Sequence, residues 1–279
     1  MIKASVTISF YKKIEVLKLV IAALEQQTVK NFEVIIADDG SPEDIVKQIR
    51  KLQSSSSLTI RHVWHQDIGF RKTIILNECV RKSESDYFVF IDGDCIPHHR
   101  FVEAHLSQRQ PGTVLAGRRV NLSEKLSAEL TEQRVSSGYL KGSFTGRVLF
   151  DGIFGKTTHV EKAIYMGVPW LETLLDRKDS GILGCNFSIG KQDLLDINGF
   201  DERYLAPGVG EDTDLSLRLR WNGVKVKTVK NSAIQYHLYH PILDRSSVNE
   251  EIYQEVLKLH AHFTPYGIVR QVTTAKEKQ

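Results

Sequence analysis

Two groups of carboxylates carry the chemistry this chain could do. Asp92-Gly93-Asp94 closes the apolar run Tyr87-Phe88-Val89-Phe90-Ile91. A strand that ends in acidic residues presents hard oxygen ligands at a sheet edge. That suits Mg²⁺ or Mn²⁺, ions that mostly hold phosphates. Glu211-Asp212, with Asp214, follows the glycines Gly208 and Gly210 and opens a helical stretch. A carboxylate there is kept ionised by the helix dipole and is available as a base. One group could grip a diphosphate while the other deprotonates a nucleophile.

These side chains need a frame, and the first hundred residues supply its rhythm. Ala4–Phe10 reads as a strand, 15–26 as a helix with apolar residues at helical spacing, and 32–37 as a strand ending in Asp38-Asp39-Gly40-Ser41. Pro42 suits the first turn of a helix running to about Leu52. After the polar linker Ser54-Ser55-Ser56-Ser57, the pattern gives a strand over 58–64, a helix over 72–83 and a strand over 87–91. Such βαβα alternation implies a parallel sheet with helices on both faces, and ligands beyond the carboxyl ends of its strands. Asp38-Asp39 and Asp92-Gly93-Asp94 both stand at such ends. Residues 118–178 lack clear periodicity. Order returns with a strand over 184–189, helices over 192–197 and 211–222, the cap Gly223, strands over 224–229 and 233–237, and an amphipathic helix over 248–262.

Composition narrows the class. A net charge of +3 over 279 residues gives no sign of nucleic acid as a partner. Three dispersed cysteines, Cys79, Cys95 and Cys185, form no CxxC pair, so neither a zinc site nor a disulfide framework is indicated. A reducing compartment follows. No apolar run approaches the ~20 residues a membrane helix needs. The expected location is the cytoplasm, with peripheral contact at the inner membrane face left open.

Taken in order, Asp38-Asp39-Gly40-Ser41, Gly69-Phe70-Arg71, Asp92-Gly93-Asp94, Asn198-Gly199-Phe200-Asp201-Glu202 and Gly210-Glu211-Asp212-Thr213-Asp214 resemble the family-2 glycosyltransferases. No single motif decides; the ordered set does. The later segment also resembles galactosyltransferases and bacterial chondroitin-polymerase-like enzymes. The resemblance covers nearly the whole chain. It implies an α/β GT-A fold: a Rossmann-like, mostly parallel sheet flanked by helices, with a C-terminal acceptor-side extension. Residues 1–279 would form one domain, with 1–117 as the nucleotide-sugar half and 118–279 as the acceptor half. The implied reaction is inverting, metal-dependent transfer of Gal, GalNAc, Glc or GlcNAc from a UDP-sugar. The implied acceptor is a glycan or lipid-linked molecule in surface polysaccharide or lipopolysaccharide synthesis.

The resemblance also assigns roles. Asp39, then Asp38, would accept a hydrogen bond from the uracil ring, and Ser9 would join the nucleotide contacts. By itself that segment reads equally as an Asx-type turn. Arg71 would meet the base or the phosphates, or else be a solvated helix-start arginine. Asp94 would bind Mn²⁺ or Mg²⁺, and Asp92 the ribose or a metal-bound water. Asp212 would be the base, with Glu211 binding or orienting the acceptor, and Asp214 reads as a local cap or pair. In Tyr236-His237-Leu238-Tyr239-His240-Pro241, His237 is the choice for a further metal ligand and His240 the alternative; a hydrogen-bonded structural histidine is the plain reading. His65 either approaches the donor or closes a strand. Trp170 reads as a sugar-stacking, core or membrane-interface residue, and nearby Arg118, Arg119, Lys141, Arg147 and Lys162 as contacts for anionic lipid or as solvated surface.

Two departures leave the nucleotide open. Phe10-Tyr11-Lys12-Lys13 replaces the family's Pro-x-Tyr-Asn, and its arginine-asparagine segment survives only as Arg71 and Asn77. Two other classes compete. A sugar-phosphate nucleotidyltransferase needs a glycine-rich phosphate loop after the first strand, where Ser9 to Lys13 has no glycine. A non-catalytic nucleotide-sugar-binding module has no need of both carboxylate groups.

Overall fold

The computed structural model describes residues 2–167, 181–207, 210–241 and 247–269. Its first half is the expected alternation: β1 (Ala4–Phe10), α1 (Ile14–Glu25), β2 (Phe32–Asp38), α2 (Glu43–Ser55), β3 (Ile60–Trp64), α3 (Lys72–Lys82) and β4 (Tyr87–Asp92). Next come β5 (Cys95–Pro97), α4 (Phe101–Gln108), β6 (Thr113–Ala116) and β7 (Val120–Asn121). The stretch without clear periodicity folds as short helices: α5 (Glu124–Glu129), α6 (Glu132–Ser136) and α7 (Ser143–Phe154). Ser123 and Thr131 cap the first two by accepting from the N–H groups of Leu126 and Arg134. β8 (Asn186–Gly190), α8 (Lys191–Asp196), α9 (Glu211–Trp221), β9 (Lys225–Thr228), β10 (Gln235–His237) and α10 (Glu250–Leu259) complete the described elements.

Seven strands form one sheet in the order β3-β2-β1-β4-β8-β6-β9. β8 alone runs against its neighbours, so the sheet is mostly parallel. Both faces are covered. Val6, Ile8, Val34, Ile36, Val89 and Ile91 point to one core, which α1 closes. Ile35, Ala37, Phe88, Phe90, Phe187 and Ile189 point to the other, with Ile75 of α3 and Leu215 and Leu219 of α9. This two-sided burial explains why the central strands read as unbroken apolar runs.

Register places the acids. β1 pairs with β2 so that Phe10 faces Asp38, and with β4 so that Ser9 faces Asp92. Both acidic turns therefore leave the sheet at one level. Gly93 is required there by space: its N–H donates to the Ser9 carbonyl at 2.8 Å, and an added Cβ would lie 2.9 Å from that oxygen.

A small second sheet, β5-β10-β7, begins directly after Asp94. In it His237 pairs with Cys95, and the Leu238 N–H donates to the Asp94 carbonyl at 3.0 Å. α9 ends as expected at Gly223 (φ 81°): the Gly223 and Val224 N–H groups donate back to Arg220 and Leu219.

α9 is anchored by a buried ion pair. Asp214 accepts from Arg218 at 2.8 and 2.6 Å, and Arg218 also donates to the carbonyls of Ile197 and Gly199. Asn77 holds the same turn, exchanging hydrogen bonds with the backbone of Phe200. Asp214 thus pairs locally, and Asn77 serves the fold. Replacing Arg218 by Met leaves Asp214 buried and uncompensated. The Arg218→Met protein should lose about 3–5 kcal/mol of unfolding free energy in a denaturant titration with an unchanged slope.

Candidate active site

The ends of β1, β2 and β4 and the start of α9 enclose a cavity of about 590 Å³. Asp39, Asp92, Asp94, Glu211 and Asp212 all line it, as do Ser9 and Lys72. Carboxylates separated by more than a hundred residues in the chain therefore share one space.

On the nucleotide side, Asp39 accepts from His65 Nε2 at 2.7 Å and from the Arg71 backbone N–H at 2.9 Å. Burial raises its pKa, and these two donors pull the other way. Asp38 does not line the cavity: it is fully buried, accepting from the Ser41 N–H and facing His62 Nε2. It holds the turn that presents Asp39. The Arg71 guanidinium folds back onto the Phe70 carbonyl at 2.8 Å and is absent from the cavity wall. His65, ambiguous in sequence, thus stands behind Asp39.

At the opposite wall three electron-rich groups converge. The ligand atoms of Asp94, His237 and His240 lie within 4.8 Å of one another. Asp94 Oδ2 is 3.7 Å from His237 Nε2 and 3.5 Å from His240 Nε2, and the two imidazole nitrogens are 3.2 Å apart. His240 Nδ1 lies 2.8 Å from the Pro241 carbonyl, which suits a protonated Nδ1 and leaves Nε2 as a lone pair. Burial pushes the His237 pKa down to about 4, against the pull of Asp94, so this imidazole is neutral near pH 7. One carboxylate and two imidazoles fit a divalent ion, and this mixed donor set suits Mn²⁺ better than Mg²⁺.

Asp212 and Glu211 face this cavity from the first turn of α9. Asp212 accepts from the Gly184 N–H at 3.1 Å. Burial, then the neighbouring Glu211 charge, raise its pKa, while the Gly184 N–H and Lys72 act in the opposite direction. The Thr213 N–H and hydroxyl also donate to Asp212, and a carboxylate with raised proton affinity in a cavity has the chemistry to accept a proton.

The sequence reading misses Lys72. Its Nζ lies 2.9 Å from Asp92 and 2.9 Å from Glu211. Nothing in the periodicity marks it; the only hint is a cation directly after Gly69-Phe70-Arg71. Arg119 also lines the cavity, donating to Cys185 Sγ at 3.7 Å. Trp170 and Gly208 lie outside the described residues.

Known proteins bear on this geometry. The family model described as "Glycosyl transferase family 2" matches residues 5–160, more than half of the chain. A second, "N-terminal domain of galactosyltransferase", matches 175–241. A chondroitin synthase of Escherichia coli is 25% identical over 242 residues, covering 84% of this chain and 34% of that protein. A validoxylamine A glucosyltransferase of Streptomyces hygroscopicus subsp. jinggangensis is 24% identical over 246 residues, covering 82% and 54%. The chain thus spans about a third of the chondroitin synthase and about half of the glucosyltransferase. Among solved structures, S. aureus TarS 1-349 in complex with UDP-GlcNAc has a TM-score of 0.61 at 16% identity, covering 93% of this chain and 65% of that one. Mannosyltransferase PcManGT from Pyrobaculum calidifontis, in complex with GDP-Man and Mn²⁺, has a TM-score of 0.54 at 12% identity, covering 93% and 62%. At these identities the structural likeness speaks for the GT-A fold. The profile over residues 5–160, on a mostly parallel sheet whose strand ends gather the acidic motifs, makes this chain a member of glycosyltransferase family 2.

Proposed function

We propose that the protein is an inverting, metal-dependent transferase. It moves a hexose or N-acetylhexosamine from a UDP-sugar to a hydroxyl of a glycan or lipid-linked acceptor, in the synthesis of a surface polysaccharide or lipopolysaccharide. The observation that carries this reading is the shared cavity: Asp94, which faces His237 and His240, lines it together with Asp212. Residues 1–117 supply the donor side and 118–279 the acceptor side. Work on lipid-linked acceptors would bring the protein to the inner face of the membrane; no helix among the described residues is long and apolar enough to cross one.

In this reading Asp39 accepts the uracil N–H, steadied by His65 and Arg71, and Ser9 and Asp92 bound the nucleoside. Asp94, His237 and His240 hold Mn²⁺ or Mg²⁺. That ion, when bound, stabilises negative charge on the departing nucleoside diphosphate. Asp212 takes the proton of the acceptor hydroxyl as its oxygen bonds to the anomeric carbon. The bond from that carbon to phosphate oxygen breaks on the opposite face, and its electron pair leaves with the diphosphate. Glu211 orients the acceptor. Because Asp212 must be unprotonated, the rate falls on acidification. With its pKa raised, that fall comes at a higher pH than an ordinary aspartate would give.

A screen of nucleotide sugars with Mn²⁺ tests the donor. A bound UDP-sugar at a hundredfold excess over its dissociation constant should stabilise the protein by about 2.7 kcal/mol in a thermal melt. If GDP-sugars stabilise it and UDP-sugars do not, the donor assignment is wrong. Asp212→Asn should keep donor binding while kcat drops by ~10²–10⁴-fold; turnover at the wild-type rate would remove Asp212 from the base role. Asp94→Ala and His237→Ala should each raise the Mn²⁺ dissociation constant, read by electron paramagnetic resonance, at least about tenfold. Undiminished Mn²⁺ binding in both would place the ion elsewhere.

A further inference from the structure

We propose that Lys72 is a positioning residue for the transfer step: its ammonium ties the donor-side carboxylate Asp92 to the acceptor-side carboxylate Glu211, and so fixes the charges that Asp212 faces. This rests on Asp212 being the base, as proposed above.

The geometry is specific. Lys72 opens α3, Asp92 ends the next element, β4, and Glu211 opens α9, more than a hundred residues further on. Nζ is 2.9 Å from each carboxylate, and the Lys72 side chain is only 16% exposed. Burial alone would favour a neutral lysine, but the charges of Asp92 and Glu211 override it and hold the amine protonated. Two partly buried carboxylates from different elements are thereby held around one cation, which ties the first turn of α9 to the end of β4. Asp212 is the next residue of that turn.

The groups facing Asp212 are few. Glu211 adjoins it on α9, Lys72 reaches it from α3, and the N–H groups of Gly184 and Thr213 donate to it. Asp92, Asp94 and Arg119 line the same cavity. Glu211 strengthens the hold of Asp212 on a proton and Lys72 weakens it, so the two oppose each other. Removing the cation alone leaves Asp212 beside an unneutralised anion. Removing the anion alone leaves it beside a cation. Removing both restores the balance.

The test is a four-cornered cycle on the full chain in metal-free buffer. Carboxyl-¹³C aspartate labels the protein, Asp212→Asn assigns the signal, and its midpoint is read by NMR against pH. Lys72→Met should raise the Asp212 midpoint by about one unit, a tenfold change in proton affinity. Glu211→Gln should lower it, and the double variant should return it to near the wild-type value. The acid limb of kcat/KM for UDP release from UDP-GlcNAc with Mn²⁺ should move in the same directions, and Lys72→Arg should retain the limb. A lysine that only contacts the diphosphate would instead raise KM and leave the midpoint where it was; that result overturns the proposal. If Lys72→Met does not fold, Glu211→Gln decides alone, since Lys72 keeps Asp92, and an unmoved midpoint refutes it. A wild-type protein that releases no UDP from any donor sinks the proposed function, while the NMR cycle still decides the role of Lys72.

Discussion

The site depends on a three-residue strand pairing, β5 against β10. It sets His237 beside Cys95 and therefore beside Asp94, although Asp94 and His237 are 143 positions apart in the sequence. Closing a loop of that length costs about 4 kcal/mol of chain entropy. Three ladder positions alone would not hold it. The pairing persists because Ile96, Tyr236 and Val120 are fully buried beneath it, at ~1.5–3 kcal/mol for each aliphatic side chain and more for the ring. The candidate metal ligands thus stand on a scaffold stabilised by apolar packing, and their own mutual repulsion does not have to be overcome locally.

That repulsion is considerable. The cavity wall carries Asp39, Asp92, Asp94, Glu211 and Asp212 against Lys13, Lys72 and Arg119. The formal excess of two negative charges matches one divalent cation. Without an added cation such a wall would repel a nucleoside diphosphate; one charge pair at 4 Å amounts to about 4 kcal/mol at an effective dielectric near 20. The acids are also kept apart by partner. Asp39 is engaged by His65 and the Arg71 N–H, and Asp92 and Glu211 by Lys72, while Asp94 faces the two histidines. Asp212 is left with backbone donors and the Thr213 hydroxyl, and burial together with the Glu211 charge raises its proton affinity.

Much of this was legible in the sequence because it is local. Alternating apolar runs and helices gave β1 to β4 to within a residue or two. The acidic turns fell where a parallel sheet puts its ligands, and Gly223 announced the end of α9. What escaped is what depends on tertiary contact. β5 has three residues and β7 two, too short for any period to register. α5 and α6 span about one turn and a half each, and their stability comes from caps and from Leu126 and Val135 in the core. Lys72 looks like any helix-start lysine until the fold brings Glu211 to it. The resemblance puts Asp39 before Asp38, and the packing of His62 and His65 supplies the physical reason: adjacent strand-end residues point in opposite directions, and Asp39 is the one the cavity meets.

The sheet and the segment that follows it differ in how their positions are fixed. Around Asp39 and Asp92 the side chains are set by strand register, which tolerates no slip without turning a whole core face outward. The segment from β7 through α7 is held by short helices with one or two apolar anchors each, Leu126, Val135, Phe144 and Val148, joined by polar ties such as Thr157 with Asp151 and Asn231 with the carbonyls of Glu161 and Ile164. Most other positions on these helices are exposed or half-buried and can change at little cost to the core. A sheet fixed by register beside short helices anchored one or two residues at a time is an architecture that keeps its fold while its surface varies. Periodicity records repeated packing, which is why the sheet is legible in the sequence and these helices are not.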